Sequence, residues 1–97
     1  MRFPCDVQAE YRQVGGEDAG ARPAGVLNLS ASGVGLLVPE AVENGALLSV
    51  ELRASARPCT RTMLACVVHV NARPDGRWAL GCNFIRSLSE EDMKALL

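Results

Sequence analysis

The stretch Asn28-Leu29-Ser30-Ala31-Ser32-Gly33 lies between two apolar runs, Gly25 to Leu29 and Val34 to Val38. Asn28 and Ser30 are two residues apart, so on an extended strand both side chains leave the same face. Asn supplies an acceptor and two donors, and Ser a hydroxyl that works either way. Gly33 stands where the chain must turn back, and glycine tolerates φ > 0 or a close backbone approach. Taken alone, the stretch reads as a strand end closed by an Asx or Ser turn.

Working outward, period-two alternation dominates. Phe3, Cys5, Val7, Ala9 and Tyr11 alternate with polar residues or proline, which predicts a half-buried strand with its odd positions inward. Gln13 to Pro23 holds Gly15, Gly16, Gly20 and Pro23 and reads as a long connection. Gly25 to Leu29 and Gly33 to Val38 are the second and third strands, and Pro39 ends the third. Asn44-Gly45 marks a turn before a fourth strand over Ala46 to Leu52. Arg53 to Pro58 is a polar excursion, and Thr60 to Asn71 a β-branched fifth strand. Pro74-Asp75-Gly76 is a hairpin turn into a sixth strand, Arg77 to Ile85, with Trp78, Leu80, Cys82 and Phe84 on one face and Gly81 on the other.

The period then changes. Ser89 is an N-cap, Asp92 completes a capping box, and Leu88 and Met93 occupy hydrophobic-staple positions. Glu90, Glu91 and Asp92 suit the positive end of a helix dipole. Met93, Leu96 and Leu97 form an apolar stripe on this terminal helix. Six short strands and one helix, with no alternating helices, point to an all-β fold: a small antiparallel six-stranded barrel with a short C-terminal α-helix. Closure removes the exposed strand edges that so short a chain could not otherwise protect.

The totals set bounds on function. The 97 residues suit one small domain spanning 1–97, and 48% hydrophobic content supports one core. Aromatic residues are only 4%, so that core must be aliphatic. The net charge of −1 argues against DNA, RNA or an anionic membrane as the bulk partner, since each needs a basic surplus. Few aromatics and no basic groove also weigh against a single-strand nucleic-acid barrel. No apolar run approaches 18 residues, so no membrane insertion through a helix is expected. The start of the sequence carries no secretory pattern. Cys5, Cys59, Cys66 and Cys82 lack zinc-site spacing and are expected to be reduced thiols in a cytoplasmic protein, Cys66 and Cys82 packing as small apolar residues.

Catalytic readings find little support. His69 is the one histidine, so no second imidazole exists to build a metal site, and it reads as a structural or surface residue. Ser30 as a nucleophile needs a base and an oxyanion hole, and no Gly-x-Ser-x-Gly elbow is present. Asp75 belongs to its turn, and the acidic residues after Ser89 to helix capping. Trp78 reads as core or rim packing. No enzyme and no cofactor are expected.

Four features in order give the chain a resemblance to the PilZ domain family. They are Arg2-Phe3-Pro4 at the opening, Asn28-x-Ser30-x-x-Gly33 matching a D/N-x-S-x-x-G motif, Trp78-Ala79-Leu80-Gly81-Cys82-Asn83-Phe84 in the late strand, and Leu88-Ser89-Glu90-Glu91-Asp92 at the helix start. The resemblance implies a six-stranded barrel that binds cyclic di-GMP, a bacterial second messenger, through Arg2, Asn28, Ser30 and Gly33. Arginine forks pair with phosphate or with the guanine O6/N7 edge, and can stack on bases. Asn28 and Ser30 would hydrogen-bond a guanine, and Gly33 would let it approach the backbone. Binding would pin the segment around Arg2 across the barrel and create a surface for a protein partner, in motility or polysaccharide export.

The chain departs from the family at the R-x-x-x-R segment. If Arg2 is its second arginine, the first lies before Met1; if Arg2 is its first, Asp6 stands at the second position. Losing one charge-assisted contact costs roughly 1.5–3 kcal/mol. The alternative function is therefore a degenerate barrel of the same type that binds no nucleotide and acts as a protein–protein adaptor. Arg53, Arg57 and Arg61 also spell R-x-x-x-R but follow the Asn–Ser–Gly motif, and read as a solvated basic loop.

Overall fold

The computed structural model describes residues 7–15, 20–54 and 58–97. Six strands run in the order β1 (Val7–Gln13), β2 (Arg22–Leu29), β3 (Gly33–Val38), β4 (Leu47–Ala54), β5 (Thr60–Ala72) and β6 (Trp78–Phe84), followed by the helix α1 (Glu90–Leu96). They close into an antiparallel barrel with neighbour order β1-β2-β3-β6-β5-β4. The expected all-β barrel and terminal helix are both present.

Alternation decides which residues face inward. Val7, Ala9 and Tyr11 from β1, Leu48, Val50 and Leu52 from β4, and Leu80, Cys82 and Phe84 from β6 are all buried. With Leu29, Val34, Leu36, Val38, Ala65 and Val67 they form one core, and no charged residue among the described ones is buried with them. That core is aliphatic, as the low aromatic content requires. Each fully buried Leu or Val contributes about 1.5–3 kcal/mol relative to exposure.

Two seams hold the barrel shut. The β1–β4 seam pairs seven residues, from Val7↔Ala54 to Gln13↔Leu48. The β3–β6 seam runs without a bulge from Gly33↔Asn83 to Val38↔Trp78. Bulges fall instead between Val26 and Asn28 on β2 and between Val67 and His69 on β5, where the extra residue re-aims the side chains that follow.

Several boundaries differ from those expected. β2 starts at Arg22, not Gly25, because closure needs Ala9↔Ala24, Glu10↔Pro23 and Tyr11↔Arg22. Pro23 is tolerated because it lies beyond the last β2–β3 partner, Gly25↔Leu37. β4 continues through Arg53 and Ala54. Arg53 donates to Glu10 at 2.9 Å and lies 3.7 Å from Glu51, so it is a strand residue facing two carboxylates, not part of a solvated loop. Arg61 is likewise paired, while Arg57 lies outside the described residues. Cys82 is buried, and burial pushes its thiol up to about 11, but Cys66 is only half-buried and its Sγ faces the Gly45 and Val67 carbonyls.

Both turn signals act as expected. Gly45 and Gly76 have φ of 94° and 85°, which an L side chain rarely adopts. Asp75 accepts from the Arg77 amide at 3.0 Å, which fixes the last hairpin.

Helix α1 carries the full capping box: Ser89 Oγ accepts from the Asp92 amide, and Asp92 Oδ2 accepts from the Ser89 amide. Leu88 and Leu96 enter the core, and α1 packs against β4. Arg61 of β5 donates to the other carboxylate oxygen of Asp92 at 2.5 Å. Asp92 therefore both starts the helix and ties it to the barrel. The Arg61 hydrogen bond, then the one from the Ser89 amide, holds its carboxyl below the usual carboxylate range. A carboxyl depressed in the folded state contributes stability above its unfolded pKa and loses it as pH falls through the folded one. Amide exchange of α1 is accordingly expected to quicken as pH drops below about 4, after correction for intrinsic exchange. Asp92→Asn should remove that pH dependence while the strand amides stay protected.

Candidate functional site

The β2–β3 connection is where the candidate residues meet. Ser30 donates its backbone N–H to the Gly33 carbonyl at 2.9 Å, and its Oγ lies 3.4 Å from the same oxygen and 3.3 Å from Ser32 Oγ. Ala31 and Ser32 form the exposed tip. Their carbonyls do not face solvent alone: Phe84 donates its amide to Ser32 at 2.9 Å, and Leu88 donates to Ala31 at 2.8 Å. The turn is thus fastened to the segment running from the end of β6 to the N-cap of α1.

Gly33 is required by this packing. An added Cβ would stand 2.3 Å from the Cys82 carbonyl oxygen and 3.3 Å from its carbon, both backbone atoms of β6. Its φ is not positive, so the close approach, and not the turn conformation, demands glycine here. That is one of the two reasons expected for it, and it belongs to the barrel itself.

Asn28 lies on the outer side of β2, half-buried, after the bulge. Its amide covers Gly35 of β3: a Cβ on Gly35 would meet Asn28 Oδ1 at 2.9 Å and Nδ2 at 3.0 Å. Gly35 pairs with Gly81 of β6, and Gly81 with His69 of β5. A Cβ on Gly81 would meet His69 Cβ at 3.2 Å and Cδ2 at 3.3 Å. One row across four strands therefore reads Asn28, Gly35, Gly81, His69. Its two ends are side chains that lean inward, and its middle is bare backbone. Neither glycine could carry a side chain without displacing its neighbour.

Asn28, Ser30 and Gly33 therefore lie within one six-residue stretch, with Asn28 and Ser30 half-buried and Gly33 buried. Arg2, the fourth expected member, lies outside the described residues. Gly35 and His69 were not singled out for this place by the sequence. The spacing Gly33-x-Gly35 was a usable signal, since a second glycine two residues on shares the same face. The place of His69 depends on the β5 bulge and on cross-strand register, neither of which the sequence displays.

Four arginines elsewhere are engaged by carboxylates. Arg22 meets Glu40 at 2.7 Å and Arg77 meets Asp75 at 2.7 Å, in addition to Arg53 and Arg61. Tyr11 borders Arg22, and burial raises its hydroxyl pKa against the lowering effect of that cation. Among the described residues, no group of three or more His, Cys, Asp or Glu is arranged to hold a metal ion. No helix among them is long and apolar enough to cross a membrane.

The model of the PilZ domain family matches residues 1–97. No curated protein matches the chain. Among solved structures, the fold is similar to the Bacillus subtilis inhibitor of motility (MotI/DgrA), with a TM-score of 0.74 at 14% sequence identity. That likeness covers 98% of this chain and 46% of that one, so the chain spans less than half the length of the neighbour. At this identity it is a likeness of fold.

The glycines separate by what their Cβ would strike. Gly33→Ala forces backbone against backbone and is expected to cost about 2–4 kcal/mol. Gly35→Ala meets only the end of the Asn28 side chain, which can swing away, and should cost under about 1.5 kcal/mol. Urea denaturation of the two variants beside the parent protein measures the difference, and equal losses would contradict this reading of Gly33.

Proposed function

The chain belongs to the PilZ domain family, and on that premise we propose that it is a non-catalytic module that binds cyclic di-GMP and relays its level to a protein partner. The family is one of cyclic di-GMP receptors and signalling adaptors. One observation carries the reading. The motif that would hold the nucleotide, Asn28 to Gly33, is the same turn whose carbonyls accept from Phe84 and Leu88 at the root of α1.

Asn28 and Ser30 supply hydrogen-bonding groups to a guanine edge, and Arg2 an arginine fork to phosphate or base. Gly33 holds the turn against β6 so that both side chains keep their place. Ligand at this turn bears on residues 84–88 and through them on α1, which Arg61 and Asp92 tie back to β5. An open groove lined by Ala31, Leu88, Glu90, Met93 and Lys94 lies between the turn and the helix, where the partner would sense the change. The neighbouring fold of a motility inhibitor supports a partner in motility; polysaccharide export is the second expectation. A cytoplasmic location, where the second messenger is made, belongs to the same proposal.

The adaptor reading, without nucleotide, draws on the single arginine at the N-terminal motif. Isothermal titration separates the two. Cyclic di-GMP is expected to bind, with Arg2→Ala and Ser30→Ala each weakening affinity about ten- to a hundredfold. Neither substitution should move the apo melting temperature by more than a few degrees; Ser30 lies at the turn, outside the core. No heat up to high micromolar ligand, with any native upstream residues present, would favour the adaptor.

A further inference from the structure

We propose that Arg86, on the segment between β6 and α1, supplies the second arginine of the nucleotide site and pairs with a phosphate held at the Asn28–Gly33 turn. The inference rests on the cyclic di-GMP reading and assigns a role to a residue outside the recognised motif.

Charge sets the problem. The ligand carries two anionic phosphates, and the N-terminal motif offers one arginine. A net charge of −1 gives no general positive field to make up the difference. The second cation has to be a local side chain, and strand register sorts the arginines by the end of the barrel they occupy. β2 begins at Arg22, beside Tyr11, and ends at the turn. Arg12 and Arg22 therefore lie at the far end, as do Arg73 and Arg77, which follow the Ala72↔Trp78 pair into the β5–β6 hairpin. Arg53 and Arg61 lie at the turn's end, but carboxylates hold both. Arg86 is at that end too. It is exposed, and among the described residues no carboxylate pairs with it.

The backbone brings Arg86 to the turn. Phe84 and Leu88 donate their amides to adjacent carbonyls, those of Ser32 and Ala31, at 2.9 and 2.8 Å. Arg86 is the middle residue of the loop between these two bonds. Consecutive Cα atoms are about 3.8 Å apart, so its Cα stands within about two such steps of both anchored residues. Its long side chain can sweep the exposed tip formed by Ala31 and Ser32. At that turn Ser30 Oγ and Ser32 Oγ lie 3.3 Å apart. A phosphate placed there meets two hydroxyl donors and a guanidinium fork, a charge-assisted combination suited to its planar array of oxygens.

Calorimetric titration of cyclic di-GMP into the parent protein, Arg86→Gln, Arg86→Lys and Arg12→Gln, each at low and high salt, tests this. Loss of a charge-assisted contact predicts about tenfold or more weaker binding for Arg86→Gln at low salt. Arg86→Lys should fall between it and the parent, since lysine keeps the charge without the fork. Arg12→Gln removes the same charge at the far end and should match the parent, which separates a contact from a change in net charge. Added salt should weaken the parent more than Arg86→Gln, so that the gap between them narrows. The melting temperature of Arg86→Gln should stay at the parent value, which separates a ligand contact from a structural role. If the parent binds and Arg86→Gln binds equally well, or Arg12→Gln loses as much, the inference is overturned and the receptor reading stands. If the parent binds nothing, both are overturned.

Discussion

The β3–β6 seam is the constraint on which the rest of the barrel depends. These strands are separated by two others in sequence, yet their backbones run together for six residue pairs, from Gly33↔Asn83 to Val38↔Trp78. At Gly33 the approach leaves no room for even a Cβ beside the Cys82 carbonyl. Two sequential units, β1–β2–β3 and β4–β5–β6, become one closed sheet only where this seam and the β1–β4 seam form. Closure puts Leu29, Val34 and Leu36 into the same core as Leu80 and Cys82. It also brings Gly35 against Gly81, so the seam that completes the core also lays out the outer row of the candidate site. Three glycines therefore serve the seam in different ways: Gly33 inside the sheet's spacing, Gly35 and Gly81 on its outer face.

Charge plays a smaller part in stability and a larger one in placement. The pairs Arg22–Glu40, Arg53–Glu10 and Arg77–Asp75 are substantially exposed, so solvent screens them and each adds little to stability. Their effect is to commit arginines that would otherwise be candidates for an anionic ligand. Arg53 and Arg61 make the point. Each stands four residues from Arg57 and so imitates the R-x-x-x-R signature, yet β-strand geometry sends Arg53 and Arg61 to carboxylates on β1, β4 and α1. A signature of this kind has meaning only at the place in the fold where its side chains remain available, and this pair is already committed to carboxylates.

Much of the fold was legible because the barrel is built from local rules. Period-two alternation gave the inward faces of β6 and of β1 from Val7 onward correctly, with Phe3 and Cys5 outside the described residues; Asn44-Gly45 and Pro74-Asp75-Gly76 marked real turns, and Ser89 with Asp92 formed the capping box their spacing suggests. What stayed hidden was set by pairing between distant strands. Pro23 read as the end of the long connection, but closure recruits it into β2 where its missing N–H is not needed by β3. The polar run after Leu52 looked like a loop, but Arg53 finds Glu10 only once β1 lies beside β4. In the candidate site, Asn28, Ser30 and Gly33 were visible as a local motif. Gly35 was signalled only by its spacing from Gly33, and His69 not at all, because the β5 bulge and cross-strand register decide which face it takes.

The signature turn can therefore be understood as a joint as well as a recognition element. Its side chains, Asn28 and Ser30, are turned outward or along the turn, while its carbonyls at Ala31 and Ser32 face the 84–88 segment. A ligand that engages the side chains acts on a backbone already hydrogen-bonded to the entrance of α1. The helix is short, and a helix of seven residues has little stability of its own in water. Its position is held by Leu88 and Leu96 in the core, by the capping box, and by Arg61 on Asp92. Each of those holds is local to one end of the barrel, and the turn reaches that same end. A small displacement of Ala31 thus pulls on the amide of Leu88, the buried residue just before the helix cap. Under the proposed function, the element best placed to report an occupied site is therefore α1 and not the β1–β4 side of the sheet.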